Sequence, residues 1–479
     1  MSEGKAFMEL SNPYTEIEKA MLGEIYYSTE MRDNLLVLCD EYGSRFDGTE
    51  EARKAAEFIL EKFTSYGTRN PHIETYDYQG WLRGPSTFTV TSPVIREVAC
   101  ISLPYCHPGE VEGKLVFVGD GTIEDFERVR EEIQGSIVMA KTSSPPGHRW
   151  MHRMEKYDRA VLLGAVGFIW MQHLEGQGPE TGSIGWTHDA LIPGVGIAKE
   201  YGDLLVRLAQ RYGEVRLRIK TTDQLRPMKA HNIICSVGGA RVPEESVILG
   251  CHVDGHDIAQ GALDPVSGTV VVMEAARVLS KVTDGLDRSV RFVIYSNEEV
   301  GLFGSITDVN LHREELPRVR FMLNLDAAGR PGRKGVLLHR WPELEGYFHQ
   351  AGEEMGGDFP VGQRLSGFSD HFYYFLEGVP TGGLGDAEGP PPSGRGYGHT
   401  FWDTADKPQL ADMRDAAAVA CRLAMRVSNA PTWPVQHRSK AEVRQLLDTE
   451  PNLEQYRLTE ELVRKHGEGI LNWWQPSTG

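Results

Sequence analysis

Five short segments carry imidazoles and carboxylates where polar side chains are costly unless they are used. The apolar run 246–251 leads straight into His252-Val253-Asp254-Gly255, and strand alternation puts the His252 imidazole and the Asp254 carboxylate on one side of the chain. A little further on, Gly261-Ala262-Leu263-Asp264-Pro265 sets a carboxylate in a tight turn just before a helix. The run 291–296 ends in Asn297-Glu298-Glu299, with apolar residues on both flanks, and the run 320–325 ends in Asp326. Gly398-His399-Thr400, followed by Asp403-Thr404, supplies a second imidazole. Taken singly, each has an ordinary explanation as a capping residue, a solvated face or a loop histidine. Three apolar runs each ending in an acid or an imidazole make coincidence a poor account. Two imidazoles with several carboxylates form the mixed nitrogen and oxygen shell that zinc accepts, with room for a bridging water. Two metals about 3.5 to 4 Å apart lower the pKa of a shared water and clamp the oxygens of a carbonyl under attack. A nearby uncoordinated carboxylate must then take the proton, and of two adjacent glutamates only one easily faces the metals.

The elements that must position these groups follow from hydrophobic periodicity. From residue 232 the chain alternates strand and helix: NIICSV, SVILGC, a helix from Ser267 to about Lys281, RFVIYS, a helical segment and RFMLNL. This predicts an α/β fold with a mostly parallel mixed sheet and helices on both faces. Ligands of such sheets bind beyond the carboxyl ends of the strands, where the candidate residues fall. Upstream, the segment 43–63 reads as a loop and a helix capped by Thr49, with Ala55, Ala56, Ile59, Leu60 and Phe63 on one face. Residues 94–222 change texture to short strands at 113–119 and 135–141 and a helix-to-strand run at 159–171, which predicts a small inserted α/β unit. The organisation expected is therefore a catalytic domain of 1–93 and 223–430, an insert of 94–222 and a helical extension of 431–479 ending near Trp473 and Trp474.

Composition narrows the partners. The chain has 479 residues, 40% apolar and 25% charged, with a formal net charge of -18. Phosphate binding needs a basic footprint, so neither nucleic acid nor an anionic membrane is expected as a partner. The longest apolar run, 160–171, is interrupted by glycines and too short for a membrane span, which needs about 20 residues. The first residues lack a basic start followed by an apolar stretch, so a cytoplasmic protein is expected. Six scattered cysteines, without a CxxC pair, read as buried free thiols.

The ordered set HVD, GALDPVSG, NEEVGLFGS, NLDAAG, SDHFYYFLEGVP and YGHTFWDTADKP resembles the co-catalytic zinc exopeptidases that include bacterial leucyl aminopeptidases, glutamate carboxypeptidase and carboxypeptidase Q. The resemblance covers the segment 43–63 and most of 232–426, and the insert resembles a protease-associated domain. It implies two zinc ions, or another divalent transition metal. Asp264 would bridge them, Glu299 and His399 would complete one site, and His252 and Asp326 would complete the other. Glu298 would be the general base and acid, and Asp254 would hold the His252 ring, so that losing Asp254 weakens one metal site without abolishing the fold. A cis peptide bond is implied after Asp264, where Pro265 makes it inexpensive, about 0.5 to 1 kcal/mol. Relatives often carry a tyrosine directly before the last histidine; here Gly398 intervenes, and Tyr397 is the corresponding oxyanion-donor candidate. Asp370, in the SDH stretch, is a candidate at the mouth of the site, while His371 is left out of the metal shell. His256 competes with His252 for a ligand role, and the strand register favours His252. The segment 147–154, cationic and aromatic, reads either as a cover over the cleft or as an amphipathic helix within the insert. The substrate expected is a short peptide or related amide, with the terminus recognised left open, and a homodimer is implied by resemblance. Alternatives are an amidohydrolase on a non-peptide amide, a single-zinc transferase of the glutaminyl cyclase kind, and a non-catalytic binding protein.

Overall fold

A computed structural model of the chain describes residues 12–185, 190–326, 328–357, 359–386 and 396–466. The site is carried by an eight-stranded sheet. Its strands are β1 (Arg69–Leu82), β2 (Gln224–Gly238), β3 (Val242–His252), β4 (Arg288–Tyr295), β5 (Val319–Asn324), β6 (Lys334–Leu338), β7 (Val361–Gln363) and β8 (Thr381–Asp386). They lie in the order β1-β2-β4-β3-β5-β8-β6-β7. The central four, β4, β3, β5 and β8, are parallel; β2 joins them antiparallel on one side and β6 on the other, with β7 parallel to β6.

Near-continuous apolar runs suit the centre because both faces there are buried. In β3, Val247, Leu249 and Cys251 point into one core and Ile248 into the other; in β4, Val290, Phe292 and Ile294 oppose Val293 and Tyr295. The first face is covered by the helices Thr15–Tyr27, Glu50–Ser65, Ser267–Ser280 and Leu410–Asn429, the second by Phe303–Leu311, His371–Leu376 and Lys440–Thr449. Thr49 caps the helix that follows it by accepting from the Ala52 amide, and Ala55, Ala56, Ile59 and Phe63 are buried beneath that helix, as the periodicity predicts, while Leu60 is half-buried at its edge. Gly268 decides how closely the helix Ser267–Ser280 starts against the strand ends: a Cβ there would lie 2.2 Å from the Leu325 carbonyl oxygen and 2.9 Å from Cys251 Sγ.

Residues between Ser86 and Thr221 build a second eight-stranded sheet. Its parallel centre is Gly109–Phe117, Ile137–Lys141, Gly167–Met171 and Gly194–Ile197. Each face has its own apolar core. The helix Glu454–His466 ties this unit to the rest of the molecule. Glu454 pairs with Arg159 at 3.2 Å, Gln455 donates to Asp158, and Leu462 enters the core of the second sheet. Trp473 and Trp474 lie outside the described residues. All six cysteines are free thiols, five of them buried and Cys100 half-buried. Among the described residues no helix is long and apolar enough to cross a membrane.

Candidate metal centre

Every sequence-designated imidazole and carboxylate of the metal set arrives at the same end of the first sheet. His252 is the last residue of β3, and the turn 297–299 follows β4 directly. Asp326 lies just past β5, and Asp264 sits in the turn Ala262–Val266 ahead of the helix Ser267–Ser280. The Asp264–Pro265 peptide bond is cis, as expected. His252 Nε2 lies 3.6 Å from Asp264 Oδ1, 3.4 Å from Asp326 Oδ1 and 4.0 Å from Glu298 Oε2. On the other side of Asp264, His399 Nε2 lies 3.5 Å from Asp264 Oδ2 and 3.0 Å from Glu299 Oε2. Asp264 thus stands between two clusters.

The loops that present these groups are held from several directions. The buried Arg45 guanidinium donates to the carbonyls of Val253 and Gln260, both at 2.8 Å, and Gly255 N–H donates to the Ser44 carbonyl at 2.8 Å. Asp47, from the same upstream loop, accepts from the Asn297 amide at 2.6 Å. Asp403 accepts from the amides of Leu263 and Asp264 at 2.7 and 3.2 Å and so fixes the bridging turn. His399 is held from the second sheet: its Nδ1 lies 3.2 Å from the Thr181 carbonyl oxygen, and the Thr181 amide donates to the His399 carbonyl at 2.9 Å.

Asp254 departs from the expectation. The His252 ring is held through Nδ1 by the backbone carbonyl of Asp254 at 3.0 Å, while the Asp254 carboxylate stands off at 3.5 Å. That carboxylate instead accepts from the amides of Glu298 and Glu299 at 3.0 and 3.1 Å. Its main work is to shape the turn that carries both glutamates.

The donor set fits a cation. His252 Nε2, Asp326 Oδ1, Glu299 Oε1 and both ring nitrogens of His256 are buried without a hydrogen-bond partner. Buried polar atoms of this kind call for an explanation. Two groups, His252 with Glu298 and Asp326, and His256 with Glu299 and His399, each converge their ligand atoms to within 4.8 Å. The adjacent glutamates are driven apart electrostatically. Burial raises the Glu298 pKa well above the carboxylate range against the pull of the His252 imidazole, and the carboxylates of Glu299, Asp326 and Asp370 push in the same direction as burial. Burial acts in the same direction on Glu299, but the imidazoles of His256 and His399 overcome it and hold Glu299 well below that range. Neighbouring carboxylates pushed in opposite directions mark distinct roles.

The cleft over the centre is lined by His152, Arg153, Asp264, Glu298, Arg330 and Phe368, among others. Of the segment 147–154 only Arg153 and Met154 are helical, and its His152 and Arg153 line the cleft. His152 stacks on Phe368 with ring centroids 3.7 Å apart and caps the helix Arg153–Leu162, whose first residue faces the cleft. Arg153 Nε donates to the Ser183 carbonyl at 2.7 Å, and Arg330 Nη2 donates to Asp264 Oδ2 at 2.7 Å. Two expectations are corrected. Asp370 does not reach the mouth of the site: it is fully buried, and burial pushes its carboxyl up to about 8. Tyr397 turns outward, 39% exposed with the Lys407 ammonium 5.0 Å from its ring centroid, because Gly398 places it one residue further from His399. His371 stays outside both clusters, stacked on His339 and bonded to the Ser366 carbonyl at 2.9 Å. Sequence reasoning weighed His256 only as a rival of His252 and Arg153 only as part of the cationic segment 147–154, and it passed over Arg330 and Thr181. Neither Arg330 nor Thr181 stands in a motif that could have marked it.

A mixed α/β fold with acids and imidazoles gathered beyond the carboxyl ends of its central strands defines a metal-centred hydrolase architecture. Residues 232–424 match the profile of Peptidase family M28. The chain is 24% identical over 332 residues to carboxypeptidase Q of Mus musculus, covering 67% of this chain and 70% of the relative. It is 28% identical over 366 residues to aminopeptidase YwaD of Bacillus subtilis, covering 73% and 74%. The fold is that of a solved structure described as a zinc aminopeptidase from Bacillus subtilis, with TM-score 0.64 at 21% identity over 86% of this chain and 98% of the other.

Proposed function

We propose that this chain is a zinc-dependent exopeptidase of short peptides, with Glu298 as general base and acid. The observation that carries the reading is the pair of clusters sharing Asp264, with Glu298 in one and Glu299 in the other. His252, Asp264 and Asp326 would hold one ion, and Asp264, Glu299 and His399 the other. When bound, such ions supply a water of lowered pKa and a polarised substrate carbonyl. Glu298, beside His252 and Asp326, would take the proton from the attacking water and return it to the leaving amine. Asp254 keeps the Glu298 carboxylate at its post through the backbone of the turn. A second group able to bind an ion favours this reading over a single-zinc cyclase.

The cleft also favours one kind of substrate end. Arg153 and Arg330 place two guanidiniums on the rim of the centre, and guanidinium matches carboxylate geometry. A free substrate carboxylate close to the scissile bond fits them, as in dipeptide or carboxy-terminal cleavage. The second sheet acts as a protease-associated type of insert that contributes Arg153 to this rim and steadies His399 through Thr181.

The test is metal content per chain, with hydrolysis of dipeptides, carboxy-amidated dipeptides and aminoacyl anilides, for wild type and Glu298→Ala. Two zincs, with activity lost in the variant while metal is retained, is the expected result. Zinc-supplemented wild type without bound metal sinks the reading. Equal rates on free and amidated dipeptides sink the carboxylate assignment alone.

A further inference from the structure

We propose that His256 is itself a ligand of the second ion, so that the two metal positions differ in kind. The inference rests on the reading of the site as a metal centre. His256 Nε2 lies 3.1 Å from Glu299 Oε2, the same oxygen that lies 3.0 Å from His399 Nε2. The two imidazoles meet edge to face at 83°, with centroids 4.4 Å apart. His256 is buried, and neither of its ring nitrogens makes a hydrogen bond. A nitrogen in close range of a carboxylate oxygen, yet out of hydrogen-bonding alignment with it, is the arrangement of two donors aimed at a common point. The ring faces a small cavity shared with Asp264, Glu299, His399 and Asp403.

His252 and His256 separate because the chain turns between them. The Arg45 guanidinium and the Ser44 carbonyl pin residues 253–261, and the turn sends the second imidazole across Asp264 to the other cluster. His256, His399, Glu299 and Asp264 together provide two nitrogens and two carboxylates, a full tetrahedral shell of protein donors. The position at His252, Asp264 and Asp326 would have three protein donors, one imidazole and two carboxylates, with Glu298 converging on the same point. The position with His256 is therefore the tighter of the two, and the position at His252 the weaker.

The experiment titrates chelator-stripped protein with Zn2+ in competition with a chromophoric chelator and counts imidazoles on the first equivalent of Co2+ by absorption and X-ray absorption spectroscopy. Wild type is expected to fill in two steps, with two imidazoles on the first ion. His256→Gln is expected to weaken the first step by at least about 100-fold, beyond the loss of an outer partner, and to leave the second step unchanged. Circular dichroism checks the fold, and the wild-type imidazole count stands even if the variant fails to fold. One imidazole on the first ion, or a His256→Gln titration that overlays wild type, overturns the inference and leaves the metallopeptidase reading intact. Wild type that binds no ion overturns both.

Discussion

Replacing Asp254 tests whether its carboxylate serves the His252 ring or the turn of the two glutamates. The buried carboxylate accepts from the amides of Glu298 and Glu299 at 3.0 and 3.1 Å. Hydrogen bonds to a charged group contribute about 1.5 to 3 kcal/mol each, and a buried donor left unpaired adds its desolvation cost. Asp254→Ala should therefore cost about 3 to 5 kcal/mol, allowing for partial relaxation of the turn. Asp254→Asn keeps one acceptor but points an amide donor at the other N–H, and should cost about 2 to 3 kcal/mol. Domains are stable by about 5 to 15 kcal/mol, so both variants fold at room temperature, and the Ala variant should melt about 5 to 10 °C lower. The backbone carbonyl that holds His252 Nδ1 survives either substitution. Metal affinity should consequently fall at the Glu299 cluster, with His252 little affected. Thermal melts of metal-free protein and stepwise zinc titration give the two readouts. A melting shift below about 1 °C, or an affinity loss confined to the His252 position, would refute this assignment.

Glu298→Gln removes the proton acceptor while keeping the shape, and kcat should drop by about 10² to 10⁴ with metal content preserved, as judged by elemental analysis beside steady-state rates. Asp308→Ala strands the buried Arg291 guanidinium and removes the acceptor of Tyr374 O–H, so urea unfolding should show a loss of about 3 to 5 kcal/mol; a loss under 1 kcal/mol contradicts the pairing. Glu245 sits between Arg320 and Arg288, whose guanidiniums hold its carboxyl down at about 2 against an ordinary 4.5. A carboxyl lowered by folding stabilises above its unfolded pKa and loses that contribution as pH falls through the folded value. Between pH 6 and pH 2, wild type should therefore lose about 1 to 2 kcal/mol more than Glu245→Gln, a figure reduced for solvent screening. Parallel pH profiles of the two proteins refute it.

Some of the molecule was legible because the signals are local. Apolar runs of strand length ending in His252, Glu298 and Asp326 fix both the sheet and the end at which its chemistry sits. The period of 3.6 and the Thr49 cap fix the helix Glu50–Ser65, and Pro265 allows the cis bond that shapes the Asp264 turn. Asp254 shows the limit of that reading, since an H-x-D pattern cannot reveal that the carboxylate turns toward amides 44 and 45 residues away. In sequence, the SDH stretch alone places Asp370 at the mouth of the site, and the packing of the helix His371–Leu376 against the sheet buries it. The sequence by itself determined the fold class and the metal-capable residues, because periodicity and strand ends are properties of neighbours along the chain. Tertiary structure alone decided that His256 joins His399, that Arg153 reaches the cleft, and that Thr181 holds a ring 218 residues away, because those contacts depend on how the second sheet docks and how Arg45 bends the loop between two histidines.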